Sequence, residues 1–143
     1  MSAGPDIRPF DSSKDHGAVV ALWTSMLGYG TAHNAPELSI RKKLEASDGL
    51  FFVAEISGRL VGTVMAGYDG HRGWIYSLAV DASCRRRGVG RALLQRAEAV
   101  LLERGCVKIN LQIADGNEAV IGFYKKTGYK VEPKTCMGKL LLK

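Results

Sequence analysis

The sequence predicts an α/β (α+β) domain: a mixed, mostly antiparallel sheet with helices on both faces, spanning residues 1–143. Three observations carry that expectation. The middle of the chain holds three β-rich segments joined by short, turn-forming connections, the pattern of an antiparallel meander. A helical segment at 88–104 then separates a strand at 74–80 from one at 108–114, and such a crossover makes the two strands parallel. Finally, 143 residues with 46% apolar and 24% charged content suit one compact domain with its own core.

Each element has its own signal. Residues 7–10 read as a short strand. Ser12 stands where an N-cap belongs, and Asp15 completes a capping box. Val19, Val20, Leu22, Trp23, Met26 and Leu27 follow at helical spacing, and Gly28 and Gly30 end that helix. Pro36 opens a second helix, with Leu38, Ile40, Leu44 and Ala46 on its apolar side. Strands at 50–56 and 60–67 flank the turn Ser57-Gly58-Arg59, and the polar, glycine-rich stretch 68–73 leads into 74–80. Val89, Leu93, Ala97, Val100 and Leu101 give 88–104 its apolar face, and Gly105 stops it. A helix at 117–127 ends at Gly128. Two last strands, 130–132 and 135–142, complete the order β-α-α-β-β-β-α-β-α-β-β.

Composition narrows the function. No apolar run approaches the roughly 20 residues that span a bilayer. The first residues lack the basic start and apolar stretch of a signal peptide, so the expected compartment is the cytoplasm. Cys84, Cys106 and Cys136 are odd in number and too far apart for a zinc site, which leaves reduced thiols and no metal. Only Cys84, beside three arginines, has surroundings suited to a nucleophile. The net charge of +6 fits a polyanionic partner. Nucleic acid is disfavoured, because the chain has no interleaved aromatic and basic surface and no known binding module.

The positive charge is densest at Arg85, Arg86, Arg87 and Arg91, where a strand gives way to a basic loop and then to a helix. The first turn of a helix leaves backbone N–H groups without internal partners, and the helix dipole favours an anion there. Gly88 and Gly90 let that anion approach the backbone, with Val89 between them. The arginines can pair with phosphate directly. This loop is therefore a phosphate or diphosphate site, the bland alternative being glycines that only make a tight turn. It is not a P-loop, because Arg91-Ala92 stands where Lys-Ser/Thr is required. Nor is it a dinucleotide fingerprint: residues 81–87 separate the strand from the glycines, and Leu93 replaces the third.

Arg85-Arg86-Arg87-Gly88-Val89-Gly90 matches the Arg/Gln-x-x-Gly-x-Gly/Ala signature of the GCN5-related N-acetyltransferases (GNAT). A second block, from Asn117-Glu118-Ala119 through Phe123-Tyr124 to Gly128-Tyr129, is similar to another motif of that family, and the element order agrees. The turn Gly67-Tyr68-Asp69-Gly70-His71-Arg72-Gly73 resembles a feature of one small bacterial branch. The resemblance implies a GNAT-like acyl-CoA N-acyltransferase fold and an enzyme moving an acetyl group from acetyl-CoA to a primary amine of an unidentified small molecule or protein. A non-catalytic acyl-CoA sensor or interaction module is the alternative.

The resemblance also implies roles. Leu78, Ala79 and Val80 would line the acetyl group and pantetheine arm, in a gap between the strands at 74–80 and 108–114. Amides of Arg86 through Arg91 would hold the diphosphate. Asn117 would bond the pantetheine arm, or else cap its own helix. Tyr124 would give a proton to the leaving thiolate, or else pack in the core. A backbone N–H near Leu78 or Ala79 would stabilise the oxyanion. The base is open. Ribosomal-protein members carry a glutamate where this chain has Gln112, which argues against a peptide N-terminus as acceptor. Asp69, His71, Glu55 and water remain. Trp23, Tyr29, His33 and Asn34 would wall the acceptor site, although Trp23 also fits a core position. Dimerisation through the last strands is a further option in this family.

Overall fold

A computed structural model describes residues 4–28 and 35–141. Tyr29, Gly30, His33 and Asn34 lie outside the described residues. The chain divides into two units, Met1–Leu111 and Gln112–Lys143.

The first unit is built on a five-stranded sheet in the order β1-β2-β3-β4-β5. Its strands are β1 (Asp6–Pro9), β2 (Phe51–Ile56), β3 (Arg59–Tyr68), β4 (Gly73–Val80) and β5 (Ile109–Leu111). β1 through β4 pair antiparallel in sequence order, and β5 joins β4 in parallel. The predicted meander and crossover are both present. β5 is shorter than the expected 108–114, because its ladder with β4 stops at Ile75↔Leu111.

Alternation along the strands sorts the core into two faces. α1 (His16–Met26) and α2 (Pro36–Ala46) cover one. There Val19, Leu22, Trp23 and Ile40 pack with Phe51, Val53, Met65 and Ala79. Phe10 stacks on Phe51 at 4.3 Å and Phe51 on Trp23 at 5.8 Å. α3 (Val89–Glu103) packs on the other face, at the closest point against Gly62. A Cβ at Gly62 would lie 2.9 Å from Leu93 Cδ1 and 3.0 Å from Val89 Cγ1. Only a glycine lets the helix start this near to the sheet.

The capping box at Ser12 and Asp15 does not form. α1 begins at His16, and Asp15 turns its carboxylate inward to Arg8, at 2.6 and 2.8 Å, and accepts the Asp11 N–H. A buried acid gains more from a guanidinium than from the Ser12 backbone N–H that a capping box would offer it. The Arg8 pairing holds the Asp15 carboxyl below the usual range.

The second unit contains α4 (Glu118–Lys126), capped by Asn117, whose side chain accepts the Val120 N–H. The expected strands 130–132 and 135–142 are not formed among the described residues. A strand exists only in a ladder with another strand, and residues 129–141, interrupted by Pro133 and Gly138, enter no ladder among the described residues.

Candidate active site

β4 is irregular where the chemistry was expected. Its register with β3 runs Met65↔Tyr76 and then Thr63↔Ala79, so Ser77 and Leu78 together oppose Val64. This is a β-bulge, and Ser77 takes the left-handed conformation with φ 50°. The bulge switches parity: Tyr76 and Ala79 share the α1/α2 face, whereas Val80 pairs with Gly62 on the α3 face. The β4–β5 ladder ends just before it, at Ile75. Thus Tyr76–Val80 continue with no strand partner on the β5 side among the described residues. Leu78 and Val80 are half-buried, while the Ala79 side chain belongs to the core. Only the backbone of Ala79 is left to meet a ligand.

A braced turn follows. Asp81 accepts hydrogen bonds from Ser83 N (2.9 Å) and Ser83 Oγ (2.8 Å), and Arg59 donates to Ser83 Oγ at 3.0 Å. The Ser83 amide, with the Ser83 hydroxyl, lowers the Asp81 pKa. Cys84 plugs the turn into the core, 4% exposed, which removes it as a nucleophile open to substrate. Beyond it Arg85, Arg86 and Arg87 are exposed. Arg86 (φ 66°) and Gly88 (φ 76°) are left-handed on either side of Arg87. Such alternation turns successive amides toward one concave side, an anion nest.

α3 starts at the end of that loop without a side-chain cap. Its first main-chain bond runs from Ala92 N to Gly88 O, so Val89, Gly90 and Arg91 precede it and carry the donors of an open first turn. Gly88 faces open space: a Cβ there would meet nothing within 4 Å. Arg91 is exposed beside it.

In the second unit Tyr124 is buried, edge-on to Phe123 at 5.2 Å and to Tyr129 at 5.4 Å. Burial pushes its phenol up to about 12. Asn117 caps α4 as the sequence allowed.

The Acetyltransferase (GNAT) family profile matches residues 13–129, a stretch that includes the bulge, the arginine loop and Tyr124. An acetyltransferase of Yersinia enterocolitica is 43% identical over 137 residues, which is 96% of each chain. The chain belongs to the GNAT acetyltransferase family. It is an acetyl-CoA-dependent N-acetyltransferase. Among solved structures it is similar to Ard1 from Thermoplasma volcanium, with 26% identity, TM-score 0.76, and coverage of 91% of this chain and 85% of that one. It also shares the fold of the PaiA N-acetyltransferase of Thermoplasma acidophilum in complex with coenzyme A. There the TM-score is 0.78 at 17% identity, with 93% and 94% of the chains covered. No helix among the described residues of the acetyltransferase is long and apolar enough to cross a membrane.

The carboxylates considered as bases for the acetyltransferase are engaged elsewhere. Glu55 is tied to Arg8 across β1 and β2, two strands from β4. Asp69 Oδ1 accepts the amides of His71 (2.7 Å) and Arg72 (2.8 Å), closing the β3–β4 hairpin. These amides, Arg72 first, hold its pKa low. That hairpin tip, with His71, lies about 15 Å or more along β4 from Leu78. Trp23 is fully buried in the core and does not wall an open site. Sequence reasoning missed the bulge, the left-handed Arg86 and the close approach at Gly62. Of these only Gly62, a glycine inside a strand pattern, left a visible signal.

Proposed function

We propose that this acetyltransferase works by direct attack of a primary amine in a ternary complex, with the cosubstrate held at the start of α3. The observation that carries the proposal is the uncapped α3 N-terminus behind the left-handed Arg86 and Gly88. Its donor set is what a diphosphate needs: several converging amides, a positive helix end, and mobile cations at the rim. Arg85, Arg86, Arg87 and Arg91 supply the cations, and the amides from Arg86 to Arg91, with Gly88, Val89 and Gly90 at the turn, supply the bonds.

Acetyl-CoA brings an activated acyl carbon on a good leaving group. The chain's own part is to hold, orient and move protons. The β4 edge at Leu78, Ala79 and Val80 offers backbone donors to the acyl oxygen and a surface for the pantetheine arm. Asn117, already spent on its helix cap, contributes its remaining amide atoms. Tyr124 carries the proton that the thiolate takes up on leaving. With Glu55 and Asp69 committed elsewhere, the acceptor ammonium first loses its proton to solvent rather than to a carboxylate, and the neutral amine then attacks. The free thiols support a cytoplasmic setting.

The test pairs turnover with binding. Thiol release from acetyl-CoA is measured across a panel of primary amines, and CoA is titrated calorimetrically into wild type and Gly88→Trp. A Cβ at Gly88 would meet nothing within 4 Å, although the left-handed φ of 76° strains any L side chain, so the variant is expected to fold with lowered stability, to lose CoA binding and to lose turnover. Undiminished CoA affinity in Gly88→Trp would overturn the placement. CoA binding with no turnover for any amine would make the chain an acyl-CoA sensor.

A further inference from the structure

The bulge in β4 needs something to hold it, and that something lies in the next strand. Thr63 is fully buried on β3. Its Oγ1 accepts the Trp23 indole N–H at 2.8 Å and donates to the Ser77 carbonyl at 2.9 Å. Thr63 is also the ladder partner of Ala79. One residue therefore grips β4 on both sides of Leu78: by its hydroxyl at Ser77 and by its main chain at Ala79. The third corner is Trp23, stacked on Phe51 of β2 within the core under α1 and α2.

A buried hydroxyl among apolar neighbours is a costly choice unless its bonds are needed. Valine has almost the same shape, but it would take the Thr63 acceptor from the Trp23 indole and the Thr63 donor from the Ser77 carbonyl. Ser77, for its part, is held left-handed without being glycine, a conformation that persists only where surroundings over-determine it. The two oddities explain each other. We infer that Thr63 is a positioning residue for acetyl transfer: oriented by Trp23, its hydroxyl pins the Ser77 carbonyl and so fixes the bulge that presents Leu78 to the reacting acyl group. The inference rests on the proposed use of the β4 edge.

Thr63→Val removes donor and acceptor at nearly constant volume, and Thr63→Ser keeps both. In Thr63→Val, kcat at saturating substrates is expected to fall about tenfold while the CoA dissociation constant stays within about twofold, because α3 is seated by Gly62 and not by the latch. Amides of residues 76–80 in the free protein should exchange with deuterium about tenfold faster. Thr63→Ser should return kcat to within about threefold of wild type. An unchanged kcat in a Thr63→Val protein that merely melts earlier would overturn the inference. So would unaltered exchange at 76–80. Should the valine variant not fold, Thr63→Cys, a weak donor of similar size, is read in the same way. If wild type turns over no amine, the mechanism fails, yet the exchange experiment still decides whether Thr63 holds the bulge.

Discussion

At the scale of single residues, Tyr124 is a buried side chain, and that burial suits the acid role proposed for it. The sequence left a core role and an acid role as alternatives; the structure shows the first, and the second, as proposed, is compatible with it. Packed against Phe123 and Tyr129, the phenol resists ionisation, with its pKa at about 12. It thus keeps its proton across the range in which an amine acceptor becomes a free base. The expected profile of kcat/KM rises with pH as the ammonium deprotonates and shows no descending limb from Tyr124 below about pH 10. Tyr124→Phe should lower kcat about 100-fold, within the range for a lost general acid, with CoA affinity retained. The same shift fixes a sign for stability. An unfolded tyrosine ionises near 10, so between about pH 10 and 12 the unfolded chain binds fewer protons and stability falls as pH rises. The phenylalanine variant should lose that alkaline decline, read by urea titration at several pH values. An equal decline in both proteins would show that Tyr124 is not desolvated.

At the scale of elements, what was legible followed from periodicity, and what was hidden followed from contact. The helices around Trp23 and Leu93, the meander and the crossover announce themselves by local spacing, and the arginine–glycine loop by its composition. The bulge left no mark, because Tyr76-Ser77-Leu78-Ala79 reads as an ordinary strand. It becomes visible only when the partner strand shows Val64 facing two residues. Asp15 misled for the same reason: its local pattern is a cap, but Arg8 is the stronger partner. The last strands failed because alternation alone does not supply a neighbour. Gly62 lies between these cases. It is the point where α3 rests on β3 and where Ala79 O approaches to 3.1 Å of a built Cβ. Gly62→Ala should therefore push the start of α3 away from the sheet, costing about 1–3 kcal/mol as an overpacked core does. Because the displaced segment carries the proposed diphosphate donors, CoA affinity should fall too, by calorimetry at a temperature where the variant is folded. Gly58→Ala is the control: Gly58 has a positive φ that strains any L side chain, but its Cβ would meet nothing within 4 Å, so strain without displacement should leave CoA affinity intact. Lost stability at Gly62 with unchanged CoA affinity would separate the helix seat from the binding site.

At the scale of the whole molecule, the charge of +6 has two possible readings that the fold distinguishes. A nucleic-acid surface would spread cations over a face, whereas here Arg85, Arg86, Arg87 and Arg91 crowd around the uncapped amides of α3. Binding at such a site has two parts with different salt responses. Exposed arginines attract through a screened field that fades within about 8 Å at physiological ionic strength. Amide donors act at contact and are screened far less. CoA affinity should accordingly fall as salt rises and then level off at the share carried by the amides. Replacing Arg87 and Arg91 by glutamine should weaken low-salt affinity about two- to fivefold per arginine, the worth of exposed charge pairs, and flatten the salt dependence. Wild type and the double variant should then converge at high salt, where Gly88→Trp, lacking access to the amides, still shows no binding. Duplex DNA that bound the protein should be displaced by CoA, since both would compete for the same cations. Parallel salt curves for wild type and the double variant would mean that these arginines are solvated bystanders. DNA that CoA fails to displace would locate the basic function elsewhere on the surface.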